Sequence, residues 1–590
     1  FMMLDSNSQY IELEANLKAT FSGGKVVSYS LPFTLGTPVD YVLFEAGKSA
    51  YSIHIGEDAS ESVKWVAKGL QNAFLEIGGV NLPILEREAN ADELAIRLIR
   101  ADGSSNKRVE YDGFVYTNDE GSLILSGVTD RGIIYAVMSF LENELGVRYY
   151  TPSVTVMPKR DSYSFRYLHF SDKPGLRVRN TFYKEAFDPI WAARNRSNGA
   201  MGTREQPGGV EGYWGVHTFY PLLSPAEFFD THPEYFSLID GERIHDHAQL
   251  CLTNPDVLDI ITERLREKMR ALPGNLIYSV SQNDWRQPCQ CENCQAIAVK
   301  EESEAGPMLW FVNQVAERVE EEFPDKLIGT LAYQYTRKPP KHIRPRENVV
   351  IRFCSIECCF AHDFKSCPEN VDFLEDLEQW SRIADKIYVW DYVVNFSNYV
   401  MPFPNFNVLQ SNIQTFRDNN AIGIMEQGAY QSRGGEFSEL KAYLIAKLLW
   451  NPEADTEAII NDFMYGYYGR AGQHIRRYFD LCQDLVQPDT HMRIFFGADH
   501  ILYTDDFIRE GEAIFAQAKK VADTPDYYKR VEMAEIPLLY LKCRRMPQEA
   551  LRDGSYDQFT AVVAREGITH FAERDNGFVA FMERQRESAK

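Results

Sequence analysis

NLIYSVSQNDWRQPCQCENC, residues Asn275–Cys294, sets the expected fold. After the breaker pair Pro273-Gly274, residues Asn275–Gln282 mix β-branched and aromatic side chains without helical spacing, which predicts a short buried strand. Asn283, Asp284 and Trp285 stand just past its end. Pro288 and three cysteines then turn the chain, and a helical pattern opens at about Pro307. An amide, a carboxylate and an indole at a strand end, followed by a helix, is the layout of a parallel α/β fold whose strand ends face a ligand crevice. A lone aspartate at such a place is more often a turn or cap residue. Recurrence of the pattern is what favours a site.

Working outward, strands are predicted at Leu176–Tyr183, Gly215–Tyr220, Ala248–Leu252, Leu276–Gln282, Leu327–Tyr335, Val349–Ile356, Lys386–Val393 and Ala421–Glu426. Helical segments fall between most of them, at Pro255–Leu272, Met308–Phe323, Asn370–Ile383 and Asn407–Asn419. Count and length predict an α/β fold, a (β/α)8 TIM barrel over residues 170–435. A doubly wound sheet would place a Gly-rich phosphate turn after its first strand, and NTFYKEAFDP has none. Residues 1–165 read as an α+β auxiliary domain, polar and irregular up to about Ser30, then with strands and two helices. Residues 436–590 read as a helical domain punctuated by Pro and Gly.

The chain of 590 residues is long enough for three or four domains, and 44% hydrophobic with 25% charged residues is ordinary for a folded protein. A net charge of −23 opposes binding to nucleic acid or an anionic membrane. No apolar run is long enough to be a transmembrane segment. The partner expected is a neutral or amino-bearing ligand, and 13% aromatic residues would suit stacking on sugar faces. Oligomeric state is not legible.

Polar groups recur at the predicted strand ends: Asn283-Asp284 after the fourth, Glu357 after the sixth, Asp391 with Asn395 on the seventh, and Glu426-Gln427 on the eighth. His217 and Tyr335 follow the second and fifth. Each acid alone is more often a salt bridge or cap. Four converging on one barrel mouth suit glycosidic bond cleavage, which needs one carboxyl group to protonate the leaving oxygen and another to act at the anomeric side. Trp285, Trp214, Trp390, Tyr333, Tyr335 and Tyr392 are candidate sugar walls. Asn180, Asn195 and Asn198 are candidate hydroxyl ligands.

No cofactor is expected in the reaction. Cys289, Cys291 and Cys294 have the density of a structural zinc site, with Cys251 or the Cys354, Cys358, Cys359 cluster as a fourth thiolate. A disulfide and buried reduced thiols are the competing readings.

Five elements, SGVTDRGIIYAVMSFLENELGVRYYTP, SVSQNDWRQPCQCENC, RFCSIECCFAH, WDYVVNF with MPFPNF, and EQGAY, resemble the bacterial glycoside hydrolases of family 163 and their neighbours, abundant in gut Bacteroidetes. They span about Ser126 to Tyr430. The first is also similar to the amino-terminal domain of α-glucuronidases and β-hexosaminidases. The resemblance implies an endo-β-N-acetylglucosaminidase acting on the chitobiose core of N-glycans. Its catalytic residues would be Asp284 and Glu357, with help from the substrate acetamido group. Asn283, Trp285, His217, Tyr335, Asp391, Asn395 and Glu426 would bind substrate. It further implies export to the periplasm or cell surface, in many cases as a lipoprotein, although no signal stands in this chain. Two alternatives stay open. One is an α-glucuronidase-like hydrolase with Asp284 as acid and Glu357 with Asp391 as base. The other is a glycan-binding protein that keeps the barrel without turnover.

Overall fold

The computed structural model describes residues 10–20, 26–36, 40–90, 92–101, 111–119, 121–199 and 205–588, the first two stretches by backbone alone. The described residues form two compact units. One comprises those up to Gly146 together with Met157–Asp172; the other comprises Val147–Val156 and those from Lys173 onward.

In the first unit, Tyr10–Thr20 pairs with Val26–Gly36 as an antiparallel hairpin, where an irregular start was expected. The signal was present: Ile11, Leu13, Ala15, Leu17 and Ala19 alternate with polar residues at the period of a strand. A six-stranded sheet runs in the order His169–Asp172, Phe114–Asp119, Ser122–Gly127, Ala95–Arg100, Ser52–Ile55, Ile84–Glu86. Helices Glu61–Gly78 and Asp130–Leu145 are capped by the hydroxyls of Ser60 and Thr129, and both end on left-handed glycines. In SGVTDRG, a Cβ on Gly127 would meet the backbone of Gly132 at 2.3 Å, so strand and helix pack through bare backbone.

The second unit is built on seven parallel strands: β1 (Val178–Phe182), β2 (Gly212–Trp214), β3 (Asn275–Ser279), β4 (Leu327–Ala332), β5 (Val349–Cys354), β6 (Ile387–Tyr392) and β7 (Ala421–Gln427). Their order is β1-β7-β6-β5-β4-β3-β2, and among the described residues no ladder joins β1 to β2. The sheet nevertheless curls on itself. Tyr213 of β2 stacks on Tyr388 of β6 with ring centres 5.4 Å apart, and Asn180 of β1 reaches the same Tyr388 hydroxyl. Inside the curl the buried Arg352 guanidinium lies 4.3 Å from Tyr213, 4.3 Å from Trp390 and 5.0 Å from Tyr388, a cation held by ring faces.

This is one strand fewer than a (β/α)8 ring requires. The second strand is Gly212–Trp214 rather than Gly215–Tyr220 and pairs directly with β3. Ala248–Leu252 joins no ladder, and Leu250 makes only an isolated bridge to Phe236. The physical reason lies in Gln249, whose buried amide donates to the carbonyls of Asn283, Trp285 and Arg286 and accepts from Asn283 N–H. The segment thus buttresses the loop after β3 instead of extending the sheet.

Helices Pro255–Ala271, Ala305–Glu320, Val371–Ser381 and Phe406–Asp418 cover the outer face between strands. After β7 the chain is helical from Ser438–Trp450 to Phe578–Ser588, and one apolar core runs through strands and helices together. At its centre the buried Lys441 ammonium meets Glu436 and Asn405, both at 2.9 Å, and lies 4.5 Å from the Phe406 ring. Satisfied on all sides, it ties the first of these helices to the loop after β6.

Candidate active site

The strand ends open into a cleft of about 640 Å³, lined among others by His217, Asp284, Tyr333, Trp390, Tyr392, Gln427 and Glu573. That size suits one or two sugar rings. Trp390 and Tyr392, two apart on β6, present parallel rings 6.1 Å apart, and Phe396 and Phe495 continue the wall at 6.0 Å. Trp390 Nε1 donates to Gln427 Oε1 at 2.6 Å, which holds the indole in place.

Asp284 stands on one side, its side chain 56% exposed. Its Oδ1 accepts from the Tyr333 hydroxyl at 3.1 Å, and that hydroxyl accepts from Gln334 Nε2 at 2.9 Å. His217 Nε2 lies 3.8 Å from the same oxygen, while Nδ1–H donates to the Gln282 carbonyl at 2.8 Å. Burial lowers the His217 pKa, while the Gln282 hydrogen bond and the Asp284 charge oppose this. His217 and Gln334 both hold φ of +53°, a left-handed backbone rare outside glycine, and both line the cleft.

Facing the same space is Glu573, from the connection between helices Ser555–Glu566 and Phe578–Ser588. Its N–H donates to the Phe396 carbonyl at 2.9 Å, and its carbonyl accepts from Gln431. Asn576 of the same connection donates to the Ser397 carbonyl, which anchors the segment on the loop after β6. Half-burial raises the Glu573 pKa; Arg574 opposes this and the Asp284 charge adds to it. A helical tail expected only to pack on the barrel therefore supplies a carboxyl group to the cleft. No strand-end pattern marks it in sequence.

Of the nine residues named from sequence, the cleft gathers Asp284 and His217. Tyr333, Trp390 and Tyr392, read as sugar walls, line it too. The remaining seven lie elsewhere. Glu357 is ion-paired to Arg337 Nη1 at 2.8 Å, one residue past the cleft-lining Ile356. Asn283 is buried, with its amide spent on Ala248 O and Tyr220 N–H. Trp285 packs beside Tyr220 and His247. Tyr335 is turned away by the 3₁₀ turn Gln334–Thr336 into a small cavity beside Cys289 and Cys294. Asn395 is buried and donates to Phe496 O.

Asp391 and Glu426 fail for one shared reason. Side chains alternate along a strand, and Trp390, Tyr392 and Gln427 occupy the cleft face. The two acids between and beside them point to the helix layer, paired in register on β6 and β7. Asp391 accepts from the Ser355 hydroxyl, whereas no N–H or alcohol donor reaches the Glu426 oxygens, and the group that Glu426 meets is the Asp391 carboxyl itself. Burial pushes Asp391 up to about 6. Burial and the Asp391 charge push Glu426 well above the carboxylate range.

All ten cysteines are free. The ligand atoms of Cys251, Cys289, Cys291 and Cys294 lie within 4.8 Å of one another, with Cys251 and Cys291 sulfurs 3.7 Å apart. Leu238 N–H and Arg243 Nη1 donate to Cys289 Sγ, and Thr253 Oγ1 lies 3.3 Å from Cys294 Sγ. Four sulfurs with outer donors are a donor set that fits tetrahedral zinc.

A family model described as a domain of unknown function, DUF4838, matches residues 149–480. The chain belongs to the DUF4838 family. Asp284 falls within the matched stretch and Glu573 beyond it. No curated protein matches this DUF4838 chain. Among solved structures it is similar to a family GH115 4-O-methyl-α-glucuronidase with specificity for decorated arabinogalactans, at 10% identity and a TM-score of 0.55 over 91% of this chain and 78% of that one. A GH138 enzyme targeting pectin rhamnogalacturonan II aligns at 10% identity and a TM-score of 0.45 over 91% and 99%. The first likeness shows a shared fold.

The Asp391–Glu426 pair makes stability depend on pH. Both folded-state values lie above their unfolded ones, so the native state holds more protons and loses stability as pH rises from about 4 through 6 and beyond. Glu426→Gln should flatten denaturant-derived stability between pH 5 and pH 8 by up to about 1.4 kcal/mol per pH unit. An unchanged slope would place the pH dependence elsewhere.

Proposed function

We propose that the chain is a glycoside hydrolase in which Asp284 and Glu573 form the working pair of carboxyl groups. The observation that carries this reading is that both line one aromatic-walled cleft, with Glu573 raised in part by Asp284 itself. Glu573 is suited to be the general acid, since a raised pKa keeps a proton available for the leaving glycosidic oxygen. Asp284 acts from the other side. Its orientation by the Tyr333 hydroxyl suits a carboxylate that steers an acetamido group, a water or the anomeric carbon itself.

For substrate, the family 163 resemblance favours a β-linked N-acetylglucosamine in a glycoprotein N-glycan, cleaved by an exported endo-acting enzyme. The second reading, a uronate-bearing glycan, has two supports: Arg574 supplies a cation at the cleft, and the shared fold occurs in a 4-O-methyl-α-glucuronidase. Neither reading keeps Glu357 or Asp391 as base, because both lie outside the cleft. Mass spectrometry of a glycoprotein digest decides between them: a single N-acetylglucosamine left on asparagine supports the first, and release of a uronic acid from a plant glycan supports the second. Binding of both substrates without turnover would mean a glycan-binding protein.

Asp284→Asn and Glu573→Gln should each lower kcat by about 10²–10⁴-fold with an unchanged melting temperature. Full activity in Glu573→Gln would remove it from the pair. With Asp284→Asn the charge that helps raise Glu573 is gone. The basic limb of the residual pH–rate profile should therefore move to lower pH.

The same reading gives the four-cysteine cluster a structural zinc ion that stiffens the loop carrying Asp284. Removing it with a strong chelator should lower the melting temperature before it lowers kcat at a permissive temperature. Simultaneous loss of both from the first increment of chelator would mean a catalytic ion.

A further inference from the structure

A second cluster lies apart from the four cysteines, on residues that the catalytic reading does not use. Cys359, His362 and Cys367 come from the segment after β5. His491 comes from the connection between helices Gly472–Gln483 and Asp505–Val521. One ligand atom from each lies within 4.8 Å of every other. We propose that these four residues bind a second metal ion, a zinc-class divalent cation in a tetrahedral two-thiolate, two-imidazole site.

The geometry carries this further than proximity alone. With Zn–S of about 2.3 Å and Zn–N of about 2.0 Å, the edge from sulfur to nitrogen in a tetrahedron is about 3.5 Å. His491 Nδ1 lies 3.4 Å from Cys359 Sγ and 3.7 Å from Cys367 Sγ. The far nitrogen of His362 is occupied as in a ligating histidine, and that of His491 faces a carboxylate. His362 Nε2 donates to the Gln487 carbonyl at 3.1 Å, which leaves Nδ1 as the lone-pair nitrogen. His491 Nε2 lies 3.9 Å from the Glu369 carboxylate. The two imidazoles meet edge to face at 5.5 Å, so they approach one point from different directions without stacking.

The backbone is shaped for the same end. Asp363 Oδ1 accepts from the N–H groups of Lys365 and Ser366, a turn that brings Cys367 back toward Cys359. The buried Asn370 amide bonds both N–H and carbonyl of Cys359. Phe360 N–H donates to the Met492 carbonyl, which docks the two ligand-bearing segments beside the cluster. Two thiolates neutralise the charge of a divalent ion, and both sulfurs are buried, so the ion would be closed to substrate. Its role is then to clamp the loop behind Ile356 to the segment carrying Phe495, two walls of the cleft.

Zinc content and zinc-edge X-ray absorption of the purified full chain test this without any variant. Two zinc ions per chain, with an average shell of three sulfurs and one nitrogen, are expected from one S₄ and one S₂N₂ site. A single ion in a shell of two sulfurs and two nitrogens would still place it at this cluster; no zinc, or a shell of sulfur alone, would overturn the proposal. In variants, Cys359→Ser and His491→Ala should each lose one ion, while Cys251→Ser with Cys291→Ser should retain one. Replacing zinc with cobalt in that double variant should give the visible spectrum of a two-sulfur, two-nitrogen tetrahedral site. Retention of both ions by Cys359→Ser would refute the assignment.

Discussion

The two-residue period of the parallel strands governs everything at the mouth of this molecule. On β6 it sends Trp390 and Tyr392 into the cleft and Asp391 to the helices; on β7 it does the same with Gln427 and Glu426. A carboxylate near a strand's carboxyl end is thus not yet a carboxylate in the site. One residue of parity converts a candidate catalyst into a buried acid whose protonated form is favoured by burial. The curled sheet depends on the same rule, since its interior is filled by every second residue: Tyr213, Arg352, Tyr388 and Met425.

Around that frame the cleft is completed by segments outside the regular strands. The loop after β3 is positioned by Gln249, a residue of the stretch that fails to become a strand, and it carries Asp284 to the rim. The connection before the last helix brings Glu573 from almost three hundred residues away, anchored to the loop after β6 by its own N–H on the Phe396 carbonyl and the Asn576 amide on the Ser397 carbonyl. Two ligand clusters sit directly behind these loops. One follows Asp284 in sequence, and the other lies between the segments of Ile356 and Phe495. The recurring arrangement is a sheet that supplies aromatic walls and loops that supply charge.

Strand and helix positions were legible because burial imposes periods that survive in one dimension. Six of the seven parallel strands lie within or almost within the segments predicted for them, and the first unit contains the two helices expected of it, Glu61–Gly78 and Asp130–Leu145. The misses have local causes. The hairpin at Tyr10–Gly36 hid in a polar-looking but alternating stretch, and Ala248–Leu252 had strand composition but spent its polar group on a neighbouring loop.

The amino-acid sequence by itself determined the parallel α/β frame, the helical carboxyl-terminal region, the aromatic wall and Asp284, because each is written in short-range pattern: apolar period, turn residues and the residue just past a strand. Only the tertiary structure decided that Glu573 lines the cleft with Asp284, that Cys251 gathers with the later cysteines, and that Glu357, Asp391 and Glu426 do not line the cleft. Those facts depend on which way a side chain turns and on which distant segment lies opposite. Neither leaves a periodic trace in the chain, since a salt bridge to Arg337 or a step of one residue changes the outcome while the local sequence reads the same.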